Sequence, residues 1–78
     1  MLIPFEARDE KGRSAYHEFD LPAEPKLNQP LGINGQHGVP PGAAVRAIMA
    51  ETPRRIIFEV VSGSLDRMVA EFGWELAR

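Results

Sequence analysis

The groups in this 78-residue chain that invite a chemical reading are two histidines, three serines and one glycine-rich run. The run, Gly32, Ile33, Asn34, Gly35, Gln36, His37 and Gly38, resembles a phosphate-cradling loop, which works by aiming backbone N–H groups at an anion from a helix N-terminus. Pro40 and Pro41 remove two of the donors nearest that position, and neither a Lys-Ser/Thr pair nor a G-x-G-x-x-G spacing is present. These glycines therefore read as backbone turns. His17 and His37 are the candidate bases or ligands, yet a metal centre takes three or four ligands and the other donors are scattered carboxylates. Neither histidine has an evident nucleophile partner, and Ser14, Ser62 and Ser64 lie in no G-x-S-x-G elbow. With no cysteine, thiolate catalysis, disulfides, iron–sulfur clusters and cysteine-type zinc sites are excluded. The expectation is no catalytic residue, no metal and no cofactor.

What remains is surface chemistry. The net charge is −2, too acidic for a protein whose main task is neutralising phosphate backbones. The whole excess falls in residues 1–39, where Glu6, Asp9, Glu10, Glu18, Asp20 and Glu24 outnumber Arg8, Lys11, Arg13 and Lys26; residues 40–78 balance. Glu6, Glu18 and Asp20 are spaced to share one face of a hairpin, and Tyr16 joins them as an aromatic contact of the kind that anchors interfaces. With Asn34 and His37 from the glycine-rich run, they form the candidate partner-binding set, suited to a protein with a basic surface that electrostatics would steer in. Arg54 and Arg55 are two arginines without a basic field, so nucleic acid is not the expected partner. Trp74, the single tryptophan, reads as core.

Those residues need elements to hold them. Ile3, Phe5 and Ala7 alternate with Pro4, Glu6 and Arg8, and Ala15, His17, Phe19 and Leu21 alternate with Ser14, Tyr16, Glu18 and Asp20, the period of half-buried strands. Asp9, Glu10, Lys11 and Gly12 between them suit a type I turn, which closes residues 1–21 into a hairpin. Pro4 lacks a ladder donor and marks the first strand as an edge there. Residues 22–42 hold five of the seven prolines (22, 25, 30, 40, 41) and four of the seven glycines (32, 35, 38, 42), a long irregular connection with a short strand around Leu31 to Asn34. Over 43–78 the order helix, strand, helix, strand is expected. Pro41 would sit in the first turn of a helix striped by Ala44, Val45, Ile48 and Met49 and stopped by Pro53. Ile56 to Val61 is apolar on both faces, as a central strand requires. Ser64 is the expected N-cap of a second helix, with Asp66 in its first turn and Leu65, Met68, Val69 and Phe72 along its apolar stripe. Gly73 would end that helix in the left-handed conformation, before a terminal strand over residues 74–77.

The fold expected is a single α+β domain spanning 1–78, with both helices on one face of a roughly four-stranded sheet. Its element order over 43–78, a helix after a Gly-x-Pro-Pro turn and then strand, helix, strand, resembles small sulfur-carrier domains, whose chemistry needs a cysteine where Val39 stands here. No apolar run reaches the roughly 18–20 residues of a membrane span, and the N-terminus lacks a basic then apolar leader, so a cytoplasmic setting is expected. So short a chain closes only a small core, which favours binding another chain and admits a homodimer. The expected function is a non-enzymatic protein-binding module acting by stoichiometric surface contact. In build the chain resembles small phage and mobile-element inhibitors, the anti-CRISPR type among them. The alternative is a small-ligand or catalytic domain with its pocket under the glycine-rich run, around His37.

Overall fold

The structure, a computed structural model, describes residues 1–23, 26, 30, 31, 38–43, 45, 48–52 and 55–77. The N-terminal hairpin forms as its alternation dictates: β1 (Leu2–Arg8) pairs antiparallel with β2 (Ser14–Asp20) in a register running from Leu2 opposite Asp20 to Arg8 opposite Ser14. Its turn closes with the Gly12 N–H donating to the Asp9 carbonyl at 3.2 Å, and Gly12 holds φ +79°, a conformation that side chains with a Cβ avoid. The buried Asp9 carboxylate adds what the turn pattern alone leaves out. It accepts from the Lys11 N–H at 3.0 Å, the Arg13 N–H at 2.8 Å and the Arg13 Nε–H at 2.7 Å. Burial would raise the Asp9 pKa, but these donors outweigh it and hold the carboxyl below its usual value.

β3 (Pro30–Leu31), β4 (Ile48–Thr52) and β5 (Arg55–Glu59) follow, and the sheet is mixed, ordered β3-β4-β5-β1-β2-β6, where β6 is Glu75–Leu76. Four strands have five residues or more; β3 and β6 are two-residue edges. β5 and β1 pair in parallel at the centre, so the apolar run around Ile56 is the interior strand its composition implies. β1 is interior too, in contrast to the edge position that Pro4 suggests. Its pairing with β5 begins at Phe5, so the missing donor of Pro4 precedes that ladder.

The expected first helix does not form. Residues 48–52 are a strand, antiparallel to β5 with Met49 opposite Ile57, and the domain has one helix, α1 (Ser62–Glu71), among the described residues. The reason lies upstream. The Ala43 N–H donates to the Pro40 carbonyl at 3.1 Å, with Pro41 second and Gly42 third at φ +76°. That is the placement of a type II turn, for which proline followed by glycine is as well suited as proline is for a helix start. The Val45 N–H then donates to the Glu59 carbonyl at 2.9 Å, bringing the chain alongside β5. An interior β5 needs hydrogen-bonding partners on both edges, and residues 48–52 supply the second.

α1 starts earlier than its local signals indicate. Val61, not Ser64, occupies the cap and makes no side-chain cap bond, and no acid lies in the first turn. The hairpin turn supplies both functions from a distance. The Glu10 carboxylate accepts from the Ser62 N–H at 3.2 Å, while Arg13 donates to the Ser62 carbonyl at 3.4 Å and to Asp66 at 2.9 Å. An anion beside the helix N-terminus offsets its unpaired N–H groups wherever in the chain that anion originates. The far end matches expectation: Gly73 takes φ +77° after Phe72.

Parity along the strands decides which side is core. Ile3, Phe5, Ala7, Ala15, Ile56 and Phe58 share the face covered by α1, where Leu65 and Met68 are fully buried. Trp74 closes this core, its Nε1–H donating to the Gly38 carbonyl at 3.1 Å, with Phe58, Phe19 and His17 around its ring at 5.8, 5.8 and 5.6 Å between centroids. Val39 and Ala43 are buried in the same cluster, which pins the end of the proline-rich connection to the helix side. Burying each large side chain of this set contributes about 1.5–3 kcal/mol.

Candidate functional site

The face away from α1 carries Pro4, Glu6 and Arg8 of β1, Tyr16 and Glu18 of β2, Arg55 and Ile57 of β5, and Glu75 of β6, as the registers require. Glu6 lies at its centre, opposite Tyr16 on one side and Ile57 on the other. Its side chain is only 3% exposed, with one oxygen accepting from the Arg8 Nε–H and the other from an Arg55 Nη–H. Burial would raise its pKa, but the two guanidiniums reverse that and hold the carboxyl below its ordinary value. The Glu6 charge is thereby neutralised from both sides. A candidate contact residue in the sequence, it is an internal tie of the sheet face, and Arg55 is engaged in the same tie.

At the outer margin of that face the arrangement differs. β6 pairs with β2 only at Ala15–Leu76 and Tyr16–Glu75, with the Ala77 N–H donating to the Ser14 carbonyl at 2.8 Å. Beyond Tyr16, no described residue continues the ladder along the outer edge of β2. A shallow groove of about 470 Å³ runs there, lined by Pro4, Tyr16, His17, Glu18, Gly73 and Glu75. Tyr16 is 40% exposed, and among the described residues neither Glu18 nor Glu75 has an ion-pair partner. Asp20 ends the strand with its side chain exposed, accepting from the Met1 ammonium.

His17 belongs to the other face of β2 but reaches this edge. Its ring stacks on Phe19 at 4.3 Å, and its Nδ1–H donates to the Glu18 carbonyl at 2.9 Å, an acceptor that fixes the proton on Nδ1. Gly73 lies against it: a Cβ there would reach 3.4 Å from His17 Nε2, an ordinary contact, so it is the φ of +77° that asks for glycine. Among the described residues no group of three or more His, Asp or Glu side chains is placed to hold a metal ion.

Of the residues singled out in the sequence, Tyr16, Glu18 and Asp20 therefore come together along one edge, whereas Glu6 stands apart inside the face. Asn34, His37 and Arg54 lie outside the described residues, as does most of the glycine-rich run. Glu75 and Gly73 went unrecognised as site residues. Alternation from a buried Trp74 puts Glu75 on the opposite face, but its place beside Tyr16 depends on the β2–β6 pairing, which has no local signal. No helix among the described residues is long and apolar enough to cross a membrane. No protein-family model, curated protein or solved structure matches this chain.

Proposed function

We propose that this chain is a non-enzymatic module that binds another protein by stoichiometric contact at the groove along β2. One observation carries the reading: Glu18 and Glu75, without ion-pair partners among the described residues, flank a half-exposed Tyr16. Charges left unpaired at a rim attract and orient a complementary surface, and a tyrosine between them supplies contact area with little side-chain entropy to lose. The partner this chemistry selects is a protein with a basic surface, and occupying that surface would block it, as a small inhibitor of the anti-CRISPR type does. A groove open along a strand suits such a contact better than it suits a small molecule, since small ligands are usually held in concave pockets that bury most of their surface; the alternative site around His37 lies outside the described residues.

The test is affinity capture from the native host with the wild-type chain beside a Tyr16→Ala, Glu75→Lys double variant of equal stability. A partner recovered at one-to-one stoichiometry by the wild type and lost with the variant is the expected outcome. Equal recovery by both, or no stable partner together with turnover of a small molecule, would overturn the reading.

A further inference from the structure

The ladder pattern gives the outer edge of β2 a more specific use, and we propose that it accepts an extended basic segment of the partner as an added strand in line with β6. This inference rests on the protein-binding reading above and specifies its mode. The Ser14 carbonyl points outward to Ala77, and the Leu21 N–H points inward to Met1. Backbone direction alternates along a strand, so Tyr16, Glu18 and Asp20 direct their N–H and C=O groups outward while His17 and Phe19 bond to β1. β6 begins opposite Tyr16, and its register takes up no residue of β2 beyond it. Among the described residues nothing pairs the outward N–H groups of Glu18 and Asp20, which leaves a short template beside the groove, and such an edge is a site at which extended peptides add to a sheet.

Two features select the occupant. Side chains of an added strand alternate between faces, so one set would lie beside Glu18 and Glu75 and the other beside the stacked rings of His17 and Phe19. A segment alternating lysine or arginine with an apolar residue satisfies both. A second copy of this chain does not, because antiparallel pairing of β2 with β2 brings Glu18 against either Glu18 or Asp20 of the other copy, and like charges facing across a ladder are destabilising. The His17 ring already donates to the Glu18 carbonyl, covering one lone pair and leaving the second for the incoming N–H. It guards the edge without closing it.

The probe is a six-residue peptide of alternating lysine and valine, acetylated and amidated, titrated against the full chain by fluorescence anisotropy and amide exchange. Glu18→Pro deletes the outward N–H and the carboxylate together while leaving every bond to β1, because Glu18 donates nothing inward, so Glu18→Gln, which deletes the charge alone, is titrated beside it. Saturable binding that protects the Glu18 amide, and that weakens about tenfold in Glu18→Pro relative to Glu18→Gln and on N-methylation of the peptide, is the expected result. A peptide alternating glutamate and valine should not bind. Equal binding to Glu18→Gln and Glu18→Pro, both weaker than wild type, would overturn strand addition while leaving contact through the acidic side chains intact. Absence of binding by wild type would overturn strand addition, with the protein-binding reading then decided by its own capture experiment. Concentration-dependent dimerisation abolished by Glu18→Pro would make the occupant a second copy and overturn the basic segment.

Discussion

Replacing Trp74 by phenylalanine isolates the bond that ties the proline-rich connection to the end of α1. Trp74 is 2% exposed, and its Nε1–H donates to the Gly38 carbonyl at 3.1 Å. Phenylalanine keeps a ring against Phe58 and Phe19 but loses the donor and the pyrrole half of the indole. Removing one partner of a half-buried bond costs about 1 kcal/mol, the low end of the range for a stranded acceptor. The lost apolar contact, about 40 Å² of buried surface, adds about 1 kcal/mol. The sum of about 2 kcal/mol lowers Tm by about 8–16 °C in a domain of this size. Thermal unfolding followed by circular dichroism reads it directly. Gly38→Ala supplies the second arm of a double-mutant cycle, since its Cβ would lie 3.2 Å from Trp74 Nε1 at φ +70°. The two substitutions should couple by more than about 0.5 kcal/mol, as neighbours sharing one contact do. A Trp74→Phe loss below about 0.5 kcal/mol, or strict additivity with Gly38→Ala, would refute the reasoning.

Other expectations follow from the same contacts. The Val45 amide, bonded to the Glu59 carbonyl, should exchange as slowly as the Val60 amide bonded to Arg8; exchange at the free-peptide rate would return residues 43–52 to the helix reading, since the first N–H groups of a helix have no internal partner. Glu6 and Asp9, both depressed on folding, contribute stability that is complete above their unfolded pKa values of about 3.9–4.3 and is lost as pH falls through the folded ones. Urea midpoints measured from pH 6 downward should therefore decline less steeply in Glu6→Gln than in wild type, and parallel declines would contradict the Arg8–Glu6–Arg55 tie. Gly73→Ala forces a Cβ into φ +77° beside His17 and should cost about 1–2 kcal/mol in a denaturant melt.

The hairpin, the interior strand, the apolar stripe of the helix and its glycine stop are all written in local order, because alternation, a 3.6-residue period and a positive-φ glycine are properties of a few consecutive residues. The acidic character of β2 is local in the same sense, and Tyr16, Glu18 and Asp20 follow from it. Three decisions belong to the tertiary structure. Ala44, Val45, Ile48 and Met49 satisfy a helical stripe, yet β5 at the centre of the sheet needs a second neighbour, and 48–52 become β4. The start of α1 at Ser62 depends on Glu10 and Arg13, about fifty residues upstream. Glu6 has the same period-2 position as Glu18, but β1 is interior and β2 lies near the margin, so one carboxylate is enclosed by Arg8 and Arg55 while the other lies beside the groove with no ion-pair partner among the described residues. Strand order separates them, and strand order is set by pairings between distant segments that no short window of sequence contains.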